Sequence, residues 1–236
     1  FERDRAIDEL PQSASGKTIM TTEPKFIPNE AANITIDGNI KLKVRLVDCV
    51  GYLVEGALGH LENDVPRMVD TPWFEEKIPF GEAAEIGTKK VITEHSTIGL
   101  VVTTDGSITD IARSEYEEAE ERVITEMKNT GKPFAILLNC IDPAQEETLA
   151  IREMLGEKYG VPVLPVNCSS MSQEDINDIM QTVLYEFPIC EIGINIPSWM
   201  VSLDYNEALK ASLTDAIRDS FESASKVRHI SKCVEA

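Results

Sequence analysis

Basic residues are scarce in this chain. Its 236 residues hold 22 Lys and Arg against 41 Asp and Glu, a formal charge of −19 with a pI near 4.5. Clustered Lys and Arg are what grip a phosphate backbone, so nucleic-acid recognition is excluded. Direct attachment to an anionic membrane would need a basic partner. No apolar run approaches the roughly 20 residues that cross a bilayer, and the first residues carry no signal-peptide pattern. The five cysteines (Cys49, Cys140, Cys168, Cys190, Cys233) are scattered, with no Cys-x-x-Cys pair. That argues against zinc and suits reduced, buried thiols in a cytoplasm. Three histidines, none in a polar cluster at a strand end, and no Gly-x-Ser-x-Gly elbow leave little for Ser/His/Asp catalysis. A glycine-rich phosphate loop is missing as well. Ser15-Gly16-Lys17-Thr18 matches only its tail, because Pro11 stands at the first glycine position and no apolar strand precedes it. The match is a decoy, although Lys17 remains available to phosphate.

What is present is a regular alternation. Hydrophobic content is 42%, ordinary for a globular protein. Ile34–Ile36 and Ile40–Asp48 predict two strands around the Asp37-Gly38 turn. A long Gly- and Pro-rich loop follows over 51–80, then a helix over 81–94 and a strand over 98–103. The clearest helix runs from Ser114 to Thr130, with Ser114 and Glu117 as a capping box and Gly131 as the stop. Its acidic positions Glu115, Glu117, Glu118, Glu120 and Glu121 predict a solvated face or an assembly surface. Strand 134–139, helix 144–158, strand 161–166 and a helix over 173–186 come next, then a strand-like 189–196 and a helix over 204–226. Strands alternating with helices of this length indicate βαβ units and a parallel sheet. We expect residues 1–197 to form one domain and 198–236 to begin the next.

Ligands of such sheets bind at the carboxyl ends of the strands, and polar clusters stand at four of these ends. The most telling is Val44–Tyr52, an apolar strand ending in Asp48 with Gly51 three residues on. An Asp-x-x-Gly turn is the signature of a nucleoside-triphosphate switch. The carboxylate supports a water on Mg²⁺, and the glycine lets the backbone turn its N–H toward a γ-phosphate. The other three ends are Thr103-Thr104-Asp105-Gly106, Asn139-Cys-Ile-Asp142 and Asn167-Cys-Ser169-Ser170. Asn139-x-x-Asp142 has the spacing of a guanine-reading motif, with Asp142 accepting from the purine and Asn139 bracing the loops. Cys140 takes the place of the usual Lys, which weakens stacking on the base. An ordinary Asp-Pro helix start explains the same residues. Ser169 lies where a backbone N–H meets the base carbonyl. In Thr21-Thr22-Glu23-Pro24, a threonine hydroxyl can coordinate Mg²⁺ and close over the γ-phosphate.

Several strings resemble the stage IV sporulation protein A family. They are Asp-Glu-Leu-Pro-Gln-Ser-Ala (8–14), Gly-Lys-Thr-Ile-Met-Thr-Thr-Glu-Pro-Lys-Phe (16–26) and Leu-Val-Asp-Cys-Val-Gly-Tyr (46–52). Thr-Pro-Trp-Phe-Glu-Glu (71–76), Ala-Ala-Glu-Ile-Gly-Thr (83–88), Glu-His-Ser-Thr-Ile-Gly (94–99), the run 102–114 and Glu-Ala-Glu-Glu-Arg-Val (118–123) continue the likeness. It covers about residues 8–200.

The resemblance implies a P-loop NTPase of the translation-factor, GTPase-like kind, with a doubly wound, mostly parallel sheet. It implies a spore-coat morphogenetic ATPase that binds ATP and Mg²⁺, and whose hydrolysis drives self-assembly into the coat's basement layer. Other implied partners are a small amphipathic membrane-anchoring peptide and further coat proteins. The implied place is the mother-cell cytoplasm, on the outer surface of the forespore. By position, Asp48 becomes the Mg²⁺-supporting acid, with Thr22 beside it at the metal, and Thr21 and Thr22 the threonines needed for hydrolysis. The family's phosphate loop and its strand are expected before Phe1, between strands 42–48 and 98–103 in space, and its further domains after residue 236. A fragment of this extent is expected neither to fold stably alone nor to hydrolyse nucleotide. Asp142 favours guanine and the resemblance favours ATP; we side with ATP. Two rivals remain, a conventional GTPase regulator and a structural coat protein that needs no nucleotide.

Overall fold

The computed structural model describes residues 25–36, 40–71, 73–204 and 207–235. They divide into two compact units, 1–181 and 182–236. The expectations for Lys17, Thr21, Thr22 and the Asp37-Gly38 turn fall outside the described residues. In the first unit, β1 (Lys25–Ile36) and β2 (Ile40–Asp48) form an antiparallel hairpin. The expected long loop contains two small hairpins, β3 (Leu61–Glu62) with β4 (Val65–Pro66) and β5 (Met68–Thr71) with β6 (Phe74–Pro79). Helix α1 (Phe80–Lys90) runs directly into a π-helical turn at Val91–His95. Then come β7 (Gly99–Thr104), α2 (Glu117–Thr130), β8 (Phe134–Asn139), α3 (Glu146–Tyr159), β9 (Val163–Val166) and α4 (Gln173–Tyr185).

β7, β8 and β9 make a three-stranded parallel sheet in that order. β8 is central because Phe134–Leu138 is apolar throughout and buried throughout. Its alternate side chains serve two faces. Phe134, Ile136 and Leu138 pack with Ile124 and Met127 of α2 and with Leu155 and Tyr159 of α3. Leu137 packs with Val166 and with Ile179 of α4 on the other face. Helices therefore cover both faces, as parallel crossovers require.

The expected mostly parallel, doubly wound sheet is divided. Among the described residues β2 pairs only with β1, and β7 has one hydrogen-bonded neighbour, β8. Between β2 and β7 opens a cavity of about 400 Å³, lined by every residue from Val47 to Tyr52, by Val54, and by every residue from Ile98 to Thr103. Successive residues of a strand point to opposite faces, so the cavity meets the edge of β7 rather than one of its faces. No described strand fills that slot, which is why the two sheets stay separate.

Other differences have local causes. The capping box at Ser114 does not form: Arg113–Tyr116 is a 3₁₀ turn and α2 begins at Glu117 without a side-chain cap. A box forms instead before α4, where Ser172 Oγ accepts the Asp175 N–H at 3.1 Å and Asp175 Oδ2 accepts the Ser172 N–H at 2.7 Å. Gly131 does end α2, with φ +67°. Glu120 is not on a solvated face. It is 5% exposed, one turn before Ile124, and its carboxylate lies 2.7 Å from the Arg113 guanidinium.

In the second unit, the segment 189–196 is irregular, not a strand. Its neighbour Pro188 makes a single bridge to Lys226, and Ile189 N–H donates to Ser225 O. Glu186, 2% exposed, binds Lys226 at 2.6 Å and Arg228 at 3.0 Å. Helices α5 (Ser198–Val201), α6 (Ala208–Phe221) and α7 (Ile230–Glu235) complete the unit, α6 being shorter than the expected 204–226.

Candidate functional site

The carboxyl ends of β7, β8 and β9 are laced together by side chains. After β7, Asp105 accepts the Ser107 N–H at 2.9 Å, the Ser107 hydroxyl at 2.6 Å and the hydroxyl of buried Thr148 on α3 at 2.7 Å. Burial pushes the Asp105 carboxyl up, but these donors outweigh it and hold its pKa below the ordinary value. Ser107 Oγ in turn accepts the Ile141 N–H at 3.0 Å. Asn139, the last residue of β8, accepts the Cys168 N–H at 3.1 Å, and Asn167 donates to Ile141 O at 3.0 Å. Three loops far apart in the sequence, from Asp105 to Cys168, thus form one rim.

Two of the residues expected to read a base have local partners on that rim. Asp142 Oδ1 accepts the Ala144 N–H at 3.0 Å, closing the turn that leads into α3. Ser169 gives its N–H to Asn167 Oδ1 at 3.1 Å and its hydroxyl to the same oxygen at 2.6 Å. Cys140 is fully buried, with its thiol directed at Val166 O at 3.5 Å, so it presents nothing to a base. Burial, helped by the negative charge of Asp105 and Asp142, raises that thiol to about 11.

The fourth strand end lies across the cavity. Asp48 closes β2 opposite Lys25 and lines the cavity together with Gly51 and with Thr103 of β7. Gly51 has φ +83°, a left-handed conformation that a side chain would strain. Its N–H donates to Thr88 Oγ1 on α1 at 3.0 Å. Tyr52, next in the chain, is 9% exposed and gives its hydroxyl to Glu126 of α2. The Arg122 guanidinium lies 4.2 Å from the Tyr52 ring centre and holds Glu85 of α1 by two bonds of 2.7 and 2.8 Å. Thr88, Glu126, Arg122 and Glu85 escaped the sequence reading. They sit in helices with nothing to mark them, and their partners are 37 to 74 residues away.

The donor chemistry suits Mg²⁺ in one respect. Mg²⁺ prefers oxygen and is ordinarily held by one or two carboxylates with waters and substrate phosphates, not by an all-protein cage. Asp48 supplies such a carboxylate, and no group of three or more His, Cys, Asp or Glu gathers to hold a metal among the described residues. Among those residues there is also no glycine-rich phosphate cradle at a helix start. No described helix is long and apolar enough to cross a membrane.

Comparison with known proteins gives the lineage. Residues 1–188 match the family model "Stage IV sporulation protein A, ATPase domain", and residues 189–236 match "Stage IV sporulation protein A, middle domain". The chain is 54% identical to stage IV sporulation protein A of Clostridioides difficile (strain 630), over 100% of the chain and 48% of that protein. It is 52% identical to the protein of that name from Bacillus subtilis (strain 168), over 99% of the chain and 47% of that protein. With the Bacillus anthracis protein it shares 48% identity, over 99% of the chain and 47% of the relative. The chain thus spans about half the length of the curated relatives it matches. No solved structure matches it. With both of its segments matched and these identities along its whole length, the chain belongs to the stage IV sporulation protein A family.

Proposed function

We propose that this chain supplies most of the nucleotide-hydrolysing unit of a sporulation protein that binds ATP with Mg²⁺ and hydrolyses it. Hydrolysis drives the protein's own assembly into the basement layer of the spore coat, on the mother-cell side of the forespore. A small amphipathic membrane peptide and other coat proteins are the partners of that layer. The reading is carried by one observation: the Asp48 carboxylate and the Gly51 turn line one side of a cavity whose other side is the edge of β7. The match to an ATPase-domain model over residues 1–188 agrees with it. Within the site, Asp48 supports the metal's water shell, Gly51 offers its N–H, and Thr21 and Thr22 act on the attacking water and the metal. Mg²⁺ supplies charge neutralisation of the phosphates when bound.

Asn139-x-x-Asp142 at the end of β8 supports a second reading, a GTPase regulator. The buried thiol of Cys140, where that motif places a lysine, speaks for ATP. Turnover of ATP and GTP by the full-length protein separates them. We expect ATP to be preferred, Asp48→Ala to cut turnover on the order of 100-fold, and Asp142→Ala to leave ATP affinity nearly unchanged. Preference for GTP, with binding abolished by Asp142→Ala, would establish the GTPase. Coat-layer assembly that survives Asp48→Ala would make the protein a structural component independent of nucleotide.

A further inference from the structure

The donor that a terminal phosphate would need from the Asp48–Tyr52 turn is already engaged. Gly51 N–H donates to Thr88 Oγ1 at 3.0 Å, and Thr88 is 2% exposed. A threonine inside a helix commonly turns its hydroxyl back to the carbonyl four residues earlier. Thr88 instead reaches a turn 37 residues away, and the Cys49 thiol lies within hydrogen-bonding reach of the same hydroxyl. Three residues before it on α1, Glu85 holds Arg122, which covers the Tyr52 ring. One helix therefore grips the turn at Gly51 directly and at Tyr52 through Arg122.

We propose that Thr88 is a positioning residue that keeps the Gly51 N–H in reserve and yields it to the terminal phosphate of a nucleoside triphosphate, releasing α1 from the turn. The inference rests on the nucleotide-hydrolase reading above. The bond is part-buried, and an N–H shielded from water is costly without an acceptor, so the event is an exchange of one acceptor for another and not a simple opening. A phosphate oxygen is the stronger acceptor because it is charged. A diphosphate lacks that oxygen and leaves the bond to Thr88 in place. Thr88 thus separates the triphosphate state from the diphosphate state without touching either base or sugar.

The test measures dissociation constants of the full-length protein for a non-hydrolysable ATP analogue and for ADP, both with Mg²⁺. Thr88→Val removes the competing acceptor at nearly constant shape. It is expected to tighten the analogue about 2- to 10-fold, the equivalent of one net hydrogen bond, and to leave ADP unchanged. Thr88→Ser keeps the hydroxyl and should match the wild type. A purely structural Thr88 would move both nucleotides together; equal shifts, or a weakened analogue, overturn the proposal. If the valine variant does not fold, hydrogen exchange on the wild type decides. Residues 84–90 should exchange faster with the analogue than with ADP, and equal exchange overturns the proposal. A wild type that binds neither nucleotide removes the hydrolase reading together with this one. Binding of both with an unmoved ratio in Thr88→Val removes the role of Thr88 alone.

Discussion

At the scale of single residues, two aspartates at strand ends are shifted in opposite directions. Burial pushes the Asp48 carboxyl above its ordinary pKa against a smaller opposing pull from the Cys49 N–H, whereas the donors around Asp105 hold that group below it. The signs matter for stability. A carboxyl with a raised folded pKa keeps its proton better in the folded state, so ionising it costs folding energy. That cost is absent below the unfolded value near 3.9 and sets in as pH rises through the folded value. Asp105 behaves oppositely, stabilising above the unfolded value and losing that contribution as pH falls through its folded one. The Asp48 side chain is itself exposed, so solvent screens that cost and keeps it small. In the full-length protein Asp48→Asn should melt at or above the wild-type temperature at pH 7, with the gap narrowing toward about pH 4, while Mg²⁺-dependent turnover falls. Melting curves across that range check it; a clearly lower melting temperature at pH 7 would make Asp48 a structural residue.

At the scale of elements, the turn after β2 is a joint between two helices. Tyr52 donates to Glu126 on α2, and Arg122 links the same ring to Glu85 on α1. Burial, and then the hydrogen bond to Glu126, raise the Tyr52 pKa well above the ordinary tyrosine value. A raised folded pKa means that the stabilisation is complete below the unfolded value near 10 and is lost as pH rises past it. Tyr52→Phe should cost about 1.5–3 kcal/mol, the range for a hydrogen bond to a charged group. The wild type's advantage should hold up to about pH 10 and shrink above it, which denaturant titrations at pH 8 and pH 10.5 would show. An equal advantage at both pH values would mean that the ring and not the hydroxyl matters. None of this joint was legible in the sequence, because Tyr52 and Glu126 are 74 residues apart and nothing in either neighbourhood requires the other. The parallel strands were legible for the opposite reason. β8 is an unbroken apolar run that only a central position can bury, and its expected limits, 134–139, are those observed. The run 189–196 looked equally strand-like, yet a strand exists only where a neighbour pairs with it, and sequence periodicity does not supply the neighbour. The strand end at Asp48 and the turn at Gly51 could be read because their spacing is local, whereas the acceptor that occupies the Gly51 N–H could not.

For the molecule as a whole, the charge of −19 bears on how copies of it meet. Surfaces of like sign repel over a distance set by salt, with a screening length of about 30 Å at 0.01 M and about 8 Å at 0.15 M. If the full-length protein assembles through contacts that include this segment, each approach must bring two strongly acidic bodies together. The acidic positions Glu117 and Glu118 on α2 are exposed and would face that repulsion directly, whereas Glu121 is paired with Lys158 at 3.0 Å. Assembly at saturating nucleotide should therefore speed up between about 10 and 150 mM salt, whereas binding through opposite charges would slow over the same range. Light scattering and sedimentation of the full-length protein would measure both rate and extent. A rate that rises with salt places the acidic segment at the contact between copies. A rate that falls would put that contact on oppositely charged surfaces elsewhere in the protein.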